Sequence, residues 1–457
     1  MISRTDSESL QSTAQNTGND ETEEFEQETG GQQATTNIDL KKFPWYPVFQ
    51  TLCAKFQEEG HELRVVGGAV RDIILSIKPK DIDMCTTADP TNMLEILKKH
   101  RVRHLETGIQ HGTITVCKKG FAFEVTSLRE DFISRGEKVL KYGSSFKEDA
   151  RRRDLTINAM SVDVDGRLYD YFQGQDHLKK GMLLFTDRAL ERVTEDPLRI
   201  LRYFRFASCS ETFSVNFSQD YQDIFSEKRS ALADPSIVNE ERMWREFGRI
   251  LVSPKCCQTL DQMRECKILR SLGFPVLEKP FKDLIDPTFT ANRLAPDTKA
   301  AVILGIIFKG KIEMLQELVT RWRLSNKIKE VSKITAEILD TGDLPDIKKH
   351  LYALRPNTFE EEKSIRIQAL KSDKFCRLTD DQIEELENFE RPTFIFTKDH
   401  FAKVPKFKSR QKDATDLIKE AWVDSCFTME IPEMLDMVRK MVDDPEILRE
   451  RVNSGKT

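Results

Sequence analysis

Lys80-Asp81-Ile82-Asp83 sets two carboxylates on either side of a single apolar residue. On a strand, residues i and i+2 point to the same face, so Asp81 and Asp83 would converge on one spot. Two such carboxylates repel unless a cation lies between them, and Mg²⁺ takes oxygen ligands together with substrate phosphates. Taken alone, a pair like this reads first as an Asp-rich turn in water. Upstream, Val65-Val66-Gly67-Gly68-Ala69-Val70-Arg71-Asp72 places a glycine pair between a β-prone run and a helical one. Gly68 and its neighbour let the backbone approach a triphosphate, and a helix N-terminus offers unpaired N–H groups to anions. Arg71 would add a charge-assisted contact to phosphate. A lone glycine pair is commonly no more than a turn. Glycine pair, Arg71 and both aspartates at this spacing point together to a phosphate site with a bound metal. Glu124 reads either as a third acid near that metal or as a structural cross-strand carboxylate, and His111 as a brace for its glycine-flanked turn.

A second constellation lies at Thr194-Glu195-Asp196-Pro197-Leu198-Arg199-Ile200-Leu201-Arg202-Tyr203-Phe204-Arg205-Phe206. Thr194 or Asp196 suits a helix cap, and Pro197 suits a first turn. Asp196, Arg199, Arg202 and Arg205 recur every three residues as a polar stripe, with Leu198, Leu201 and Phe204 as the apolar one. One reading is a capped helix with a solvated basic face. The other is base recognition. Cytosine and adenine both offer an amino donor beside an acceptor nitrogen on the Watson–Crick edge, and guanine and uracil offer the reverse. A carboxylate and an arginine side by side would therefore select C and A.

The elements that must position these residues are short. Residues 63–66, 112–117 and 121–126 are β-prone runs bounded by turn residues. Asp89-Pro90-Thr91 opens a helical pattern carried by Met93, Leu94, Ile96 and Leu97. Residues 60–175 are thus expected to mix α and β. From about 186 onward amphipathic helical patterns dominate, as in 313–324. No internal repeat is evident. The expected class is α+β.

The stretch Gly67 to Asp72 with Asp81-Ile82-Asp83 resembles the first motif of the polymerase-β-like nucleotidyltransferases, in the branch of class II tRNA nucleotidyltransferases. Thr107-Gly108-Ile109-Gln110-His111-Gly112-Thr113 is also similar to that branch. So is Arg152-Arg153-Asp154-Leu155-Thr156-Ile157-Asn158-Ala159-Met160. The resemblance implies that Arg153 meets the triphosphate, Asp154 the ribose hydroxyls, and Asn158 supports them. It implies that Asp196 and Arg199, in an EDxxR pattern, read the base in place of a template, with Arg202 and Arg205 contacting the nucleotide. Asn239-Glu240-Glu241-Arg242-Met243-Trp244-Arg245-Glu246 resembles, more loosely, the helix motif that closes this pocket. The implied fold is a polymerase-β-like mixed α/β head followed by an all-helical neck, body and tail. The implied activity is addition of C, C and A to the tRNA 3′ end from CTP and ATP, with two Mg²⁺ on Asp81 and Asp83. A poly(A) polymerase of the same branch shares the head motifs, and a non-catalytic RNA-binding relative is a rival of another class. Two gathered carboxylates serve no purpose in a protein that only binds.

Composition sets the frame. The chain has 457 residues, 39% hydrophobic and 32% charged, which suits a globular protein of several domains. The expected division is a disordered acidic tail over 1–39, a head over 40–185, a neck over 186–255, a body over 256–350 and a tRNA-binding tail over 351–457. Nine acids against Arg4 give residues 1–39 a charge of -8, leaving +3 on the remainder of a total of -5. The folded part is therefore mildly basic, which leaves RNA binding open. Lys403 to Lys412 is basic with an interleaved Phe407, either a phosphate contact or a solvated loop. Nine cysteines without a CxxC pair read as reduced thiols. No apolar run reaches the ~20 residues of a membrane span. No obligate protein partner is evident. An acidic start is the reverse of a mitochondrial presequence, so this form of the chain is expected in cytoplasm or nucleus, with a mitochondrial form left to another start.

Overall fold

A computed structural model of the chain describes residues 37–134, 137–143, 145–214, 218–285, 294–341, 343–352, 359–372, 378–404, 407, 410–444 and 447. Nearly all of the 1–39 segment, and Pro405, Lys406, Lys408 and Ser409 of the basic run, lie outside them. The chain divides into two compact units, one ending at Lys180 and one beginning at Gly181.

In the first unit, helix α1 (Tyr46–Glu58) buries Val48, Phe49, Leu52, Cys53 and Phe56 along one stripe at helical spacing. Strand β1 (Leu63–Val66) follows, then α2 (Gly68–Ile74), β2 (Ile82–Thr86) and α3 (Pro90–Lys99). The Asp89 side chain caps α3 by accepting from the Asn92 N–H, and Pro90 fills the first turn, as the sequence predicts. Next come β3 (His104–Leu105), β4 (Thr113–Lys118), β5 (Phe121–Ser127), β6 (Arg129–Ser134), β7 (Glu137–Tyr142), α4 (Phe146–Arg151), β8 (Ser161–Val162), β9 (Leu168–Tyr169) and α5 (Gly174–Lys180). The strands expected over 63–66, 112–117 and 121–126 are present to within a residue.

One sheet runs β3-β4-β5-β2-β1-β8-β9, and β6 and β7 form a separate ribbon. The β2–β5 pairing is parallel, and the remaining pairings of the large sheet are antiparallel. Alternation sets its two faces. Ile82, Met84, Phe123 and Val125 are buried, whereas Asp83, Ala122 and Glu124 are exposed. The carboxylates therefore sit on the open face because their apolar neighbours occupy the core face.

The second unit is helical among its described residues: α6 (Ala189–Glu195), α7 (Leu198–Cys209), α8 (Gln219–Leu232), α9 (Glu240–Leu251), α10 (Cys256–Glu265), α11 (Ile268–Ser271), α12 (Phe281–Leu284), α13 (Pro296–Ile307), α14 (Ile312–Arg321), α15 (Asn326–Thr341) and further helices to Asp443. Helix α13 is buried on every side from Ala300 to Ile307, as a helix apolar all round should be. At Gly305 a Cβ would stand 2.5 Å from Thr335 Cβ, so only glycine lets α15 approach this closely. The helix expected over 313–324 stops at Arg321, because Arg323 turns left-handed at φ 50°. A separate cluster around Trp422, Phe401, Phe407, Ile418 and Val438 gives the C-terminal part its own core.

Candidate active site

Asp81 stands immediately before β2 and Asp83 within it, both exposed, with Ile82 buried between them. Parallel pairing places Glu124 of β5 directly beside Asp83. Glu124 thus joins the pair, although among the described residues no three His, Cys, Asp or Glu side chains converge tightly enough to hold an ion by themselves. Asp83 is exposed, yet the protein around it strips part of its water shell; that desolvation, then Glu124, pushes its carboxyl above its ordinary range, with Arg153 opposing and Asp81 adding. The group strains against its own charge.

On the other flank of β2, Gly67 and Gly68 turn the chain from β1 into α2. Gly67 has φ 70°, and a Cβ there would stand 2.8 Å from Arg153 Nη1, so conformation and space both demand glycine. Gly68 itself has ordinary backbone, with the Arg71 guanidinium 3.6 Å from where its Cβ would be. Arg71 donates to Asn158 Oδ1 at 2.6 Å and to Asp72 Oδ1 at 2.7 Å. Asn158 in turn donates to Asp154 Oδ1 at 3.2 Å. Arg71, Asn158 and Asp154 are therefore one linked set, with Asp154 and Asn158 buried.

Arg153 is held from beneath by Asp149, which the sequence reading did not single out. Asp149 Oδ2 accepts from Arg153 Nη2 at 3.1 Å, and its other oxygen accepts from Arg152 Nε at 2.9 Å. Burial alone would raise the Asp149 carboxyl, but Arg153 and Arg152 hold it below its ordinary range. Burial would likewise lower the Arg153 guanidinium, and Asp149 reverses that. The buried Cys85 thiol, pushed up to about 12 by burial and then Asp149, stays neutral and accepts from Arg153 Nη2 at 3.4 Å. The signal for Asp149 was in the sequence: it precedes Arg152 and Arg153 by one helical turn. His111 is exposed; its ring lies 3.3 Å from Gln110 Nε2, and its backbone carbonyl accepts from Arg129.

The second constellation belongs to the second unit. Thr194 is not a cap. It lies in the last turn of α6, where its hydroxyl donates to the Leu190 carbonyl at 2.7 Å, because α6 runs on to Glu195. Asp196, extended between α6 and α7, accepts from the Leu198 N–H through Oδ1 at 3.2 Å. Its Oδ2 accepts from Arg242 of α9 at 2.8 Å. Arg199 donates to Glu195 Oε2 at 2.9 Å and to the Arg192 carbonyl at 2.8 Å. Arg202 pairs with Glu246 of α9 at 3.5 Å, and Arg205 binds the other Glu246 oxygen. Asp196 and Arg199 are thus each anchored by a different partner. The α9 stretch that resembles the pocket-closing motif supplies Arg242 and Glu246, neither of them among the sequence-predicted site residues.

Residues 63–184 match the family model described as the poly A polymerase head domain. The chain is 30% identical over 404 residues to the human protein named CCA tRNA nucleotidyltransferase 1, mitochondrial, covering 86% of this chain and 89% of that one. It is 28% identical over 413 residues to the CCA-adding enzyme of Ligilactobacillus salivarius, covering 87% and 93%. Among solved structures, the Bacillus stearothermophilus CCA-adding enzyme in complex with CTP aligns with a TM-score of 0.59 at 22% identity, over 90% of this chain and 98% of that one. The Thermotoga maritima CCA-adding enzyme complexed with tRNA_CCA aligns with a TM-score of 0.61 at 17% identity, over 89% and 99%. At those identities the two structures speak for the fold.

Proposed function

The chain belongs to the CCA tRNA nucleotidyltransferase family, and from that premise we propose that Asp81 and Asp83 carry its nucleotidyl transfer with Mg²⁺. It is a transferase that adds C, C and A to the tRNA 3′ end from CTP and ATP and releases pyrophosphate. The observation that carries the site assignment is Asp83 beside Glu124 on parallel strands, with Asp81 one step away and arginines on the opposite flank. An all-oxygen donor set with excess negative charge fits Mg²⁺. When bound there, the ions would lower the barrier to hydroxyl attack and offset charge on the departing pyrophosphate.

The protein's own groups do the rest. Arg71 and Arg153, stiffened by Asn158 and Asp149, bind the triphosphate, and Asp154 takes the ribose hydroxyls. Asp196 and Arg199 read the base edge, Arg242 fixing the Asp196 carboxylate and Glu195 the guanidinium. Arg202 and Arg205 contact the nucleotide from the same helix face, tied down by Glu246. Residues 40–185 serve as head, 186–255 as neck, 256–350 as body and 351–457 as tRNA-binding tail. The human and mouse relatives are named as mitochondrial proteins, which supports the mitochondrial option for this protein. The test is incubation with tRNA lacking its 3′ end and each NTP separately, followed by sequencing of the product. Ordered C, C and A supports the reading, and a run of A alone overturns it in favour of a poly(A) polymerase.

A further inference from the structure

Beyond β5, a row of open-face positions ends at a basic cleft on the sheet's edge, lined by Arg103, Cys117 and Ala122 from the open face and by Lys118 from the opposite one. Arg103, Cys117, Ala122 and Asp81 form one row across the strands. Cys117 pairs with Ala122, and Ala122 and Asp81 each stand one residue before the parallel partners Phe123 and Ile82. Arg103 precedes His104, the partner of Val116, and its carbonyl accepts from the Cys117 N–H at 3.0 Å. Arg103, Ala122 and Asp81 are all exposed. At about 4.8 Å per strand, Arg103 stands roughly 14 Å from Asp81 along this row.

A cleft of about 600 Å³ opens at the end of the row, lined in part by Arg101, Arg103, Lys118 and Lys119. Among the described residues none of these four pairs with a carboxylate. The acids nearby, Glu58 and Glu59, are engaged by Lys99 at 2.6 Å and by His100 at 3.3 and 3.7 Å. Partial burial first, and then the like charges of Lys55 and Lys119, hold the Lys118 ammonium below its ordinary pKa. Arg101 at φ 50° and Lys119 at φ 49° occupy left-handed positions, one just past a helix end and one in a two-residue hairpin loop. Glycine, asparagine or aspartate usually fill such places. Cations are kept there against a conformational cost.

We propose that this cleft holds backbone phosphates of the RNA strand whose 3′ end lies at Asp81 and Asp83, a role that rests on the nucleotidyl-transfer reading of that site. The sheet order supports it. The triphosphate-binding arginines flank β2 on its β1 side, while the cleft flanks it on the β5 side. In-line displacement needs its nucleophile and its leaving group on opposite sides of the reacting phosphorus. The cleft offers point charges without a carboxylate to read a base amino group, so it would grip RNA irrespective of sequence.

The test is tRNA binding by the full chain without nucleotide, over a range of salt concentrations. The Arg101→Ala/Arg103→Ala/Lys119→Ala variant should bind tRNA roughly 10- to 100-fold more weakly at 0.15 M salt, with the log–log salt slope reduced by about 2–3. The KM for tRNA should rise, the KM for CTP should not, and Arg103→Lys should retain most of the affinity. An unchanged Kd and salt slope would overturn the proposal, as would a rise in the KM for CTP alone, which would make the cleft a triphosphate site. If the triple variant melts early, Arg103→Glu at an unchanged melting temperature decides the matter by the same readout. Wild-type protein that binds tRNA through the cleft yet adds no nucleotide would sink the activity reading and leave this one standing.

Discussion

The two constellations carry similar residue types in opposite electrostatic states. At the head, Asp81, Asp83 and Glu124 crowd one sheet face without an ion-pair partner among the described residues, and Asp83 is pushed above its ordinary range. On α7 the polar stripe is already satisfied: Asp196 by Arg242, Arg199 by Glu195, Arg202 and Arg205 by Glu246. A site short of counter-charge gains from binding a cation. A site whose charges are paired gains rigidity, and a base must compete with partners already in place. The head is built to be completed, the α7 face to be held still.

The largest effect should come from the incomplete side. Asp81→Ala or Asp83→Ala should lower nucleotide addition at least about 10³-fold, roughly 4 kcal/mol of transition-state stabilisation, with tRNA binding nearly intact. Single-turnover addition in Mg²⁺ alongside tRNA affinity measures both. More than a tenth of wild-type turnover in both variants would remove these aspartates from the chemistry and collapse the contrast.

On the satisfied side the leading effect should be on folding. Glu246 is buried and serves two arginines, one of them, Arg205, well covered. Glu246→Ala leaves that guanidinium without its counter-ion and should lower stability by about 3 kcal/mol. A denaturant midpoint that stays where it was would show that the α7–α9 pairs are ornamental.

What the sequence made legible follows from range. The β-prone runs, the Asp89 cap and the shared face of Asp81 and Asp83 depend on neighbours within a few residues, and local pattern reports those well. Glu124 reads two ways in sequence because its approach to Asp83 depends on parallel pairing of strands about forty positions apart. Arg242 and Glu246 depend on α7 packing against α9, which no local pattern specifies. Asp149 lies one helical turn before Arg152 and Arg153, a spacing that local pattern does report. Thr194 failed as a cap since α6 absorbs it.

Asp196 sharpens the comparison, because it both caps and is anchored. One oxygen accepts from the Leu198 N–H and the other from Arg242, so capping and base reading need not exclude each other. Asp196→Ala should lose about 1 kcal/mol of stability from the cap. It should also lose roughly 1–3 kcal/mol of discrimination, about 5- to 150-fold between right and wrong bases. Single-nucleotide addition with all four NTPs, read beside the melting temperature, separates the two losses. A variant that melts early yet rejects U and G as strictly as wild type would move base reading elsewhere.

The smallest effect is the one that tests the contrast most directly. Because lost hydration, then Glu124 and to a lesser degree Asp81, disfavour the Asp83 charge, removing that charge should stabilise the metal-free protein even as it destroys activity. The Asp83 carboxyl is held above its ordinary value, so the folded state takes up a proton more readily than the unfolded chain. The resulting penalty is fully present above the raised pKa and is relieved as pH falls through it. Because the carboxylate opens to solvent, screening keeps the gain to a few tenths of a kcal/mol, about 1 °C in melting temperature. Asp83→Asn in EDTA at neutral pH should therefore melt slightly higher than wild type. The gap should close at acid pH and also in Mg²⁺, which wild type alone can use fully. The α7 side predicts the opposite sign, since neutralising Asp196 or Glu246 removes a partner. If Asp83→Asn melts lower than wild type in EDTA, the head carboxylates are as satisfied as those of α7, and the two constellations do not differ in the way argued.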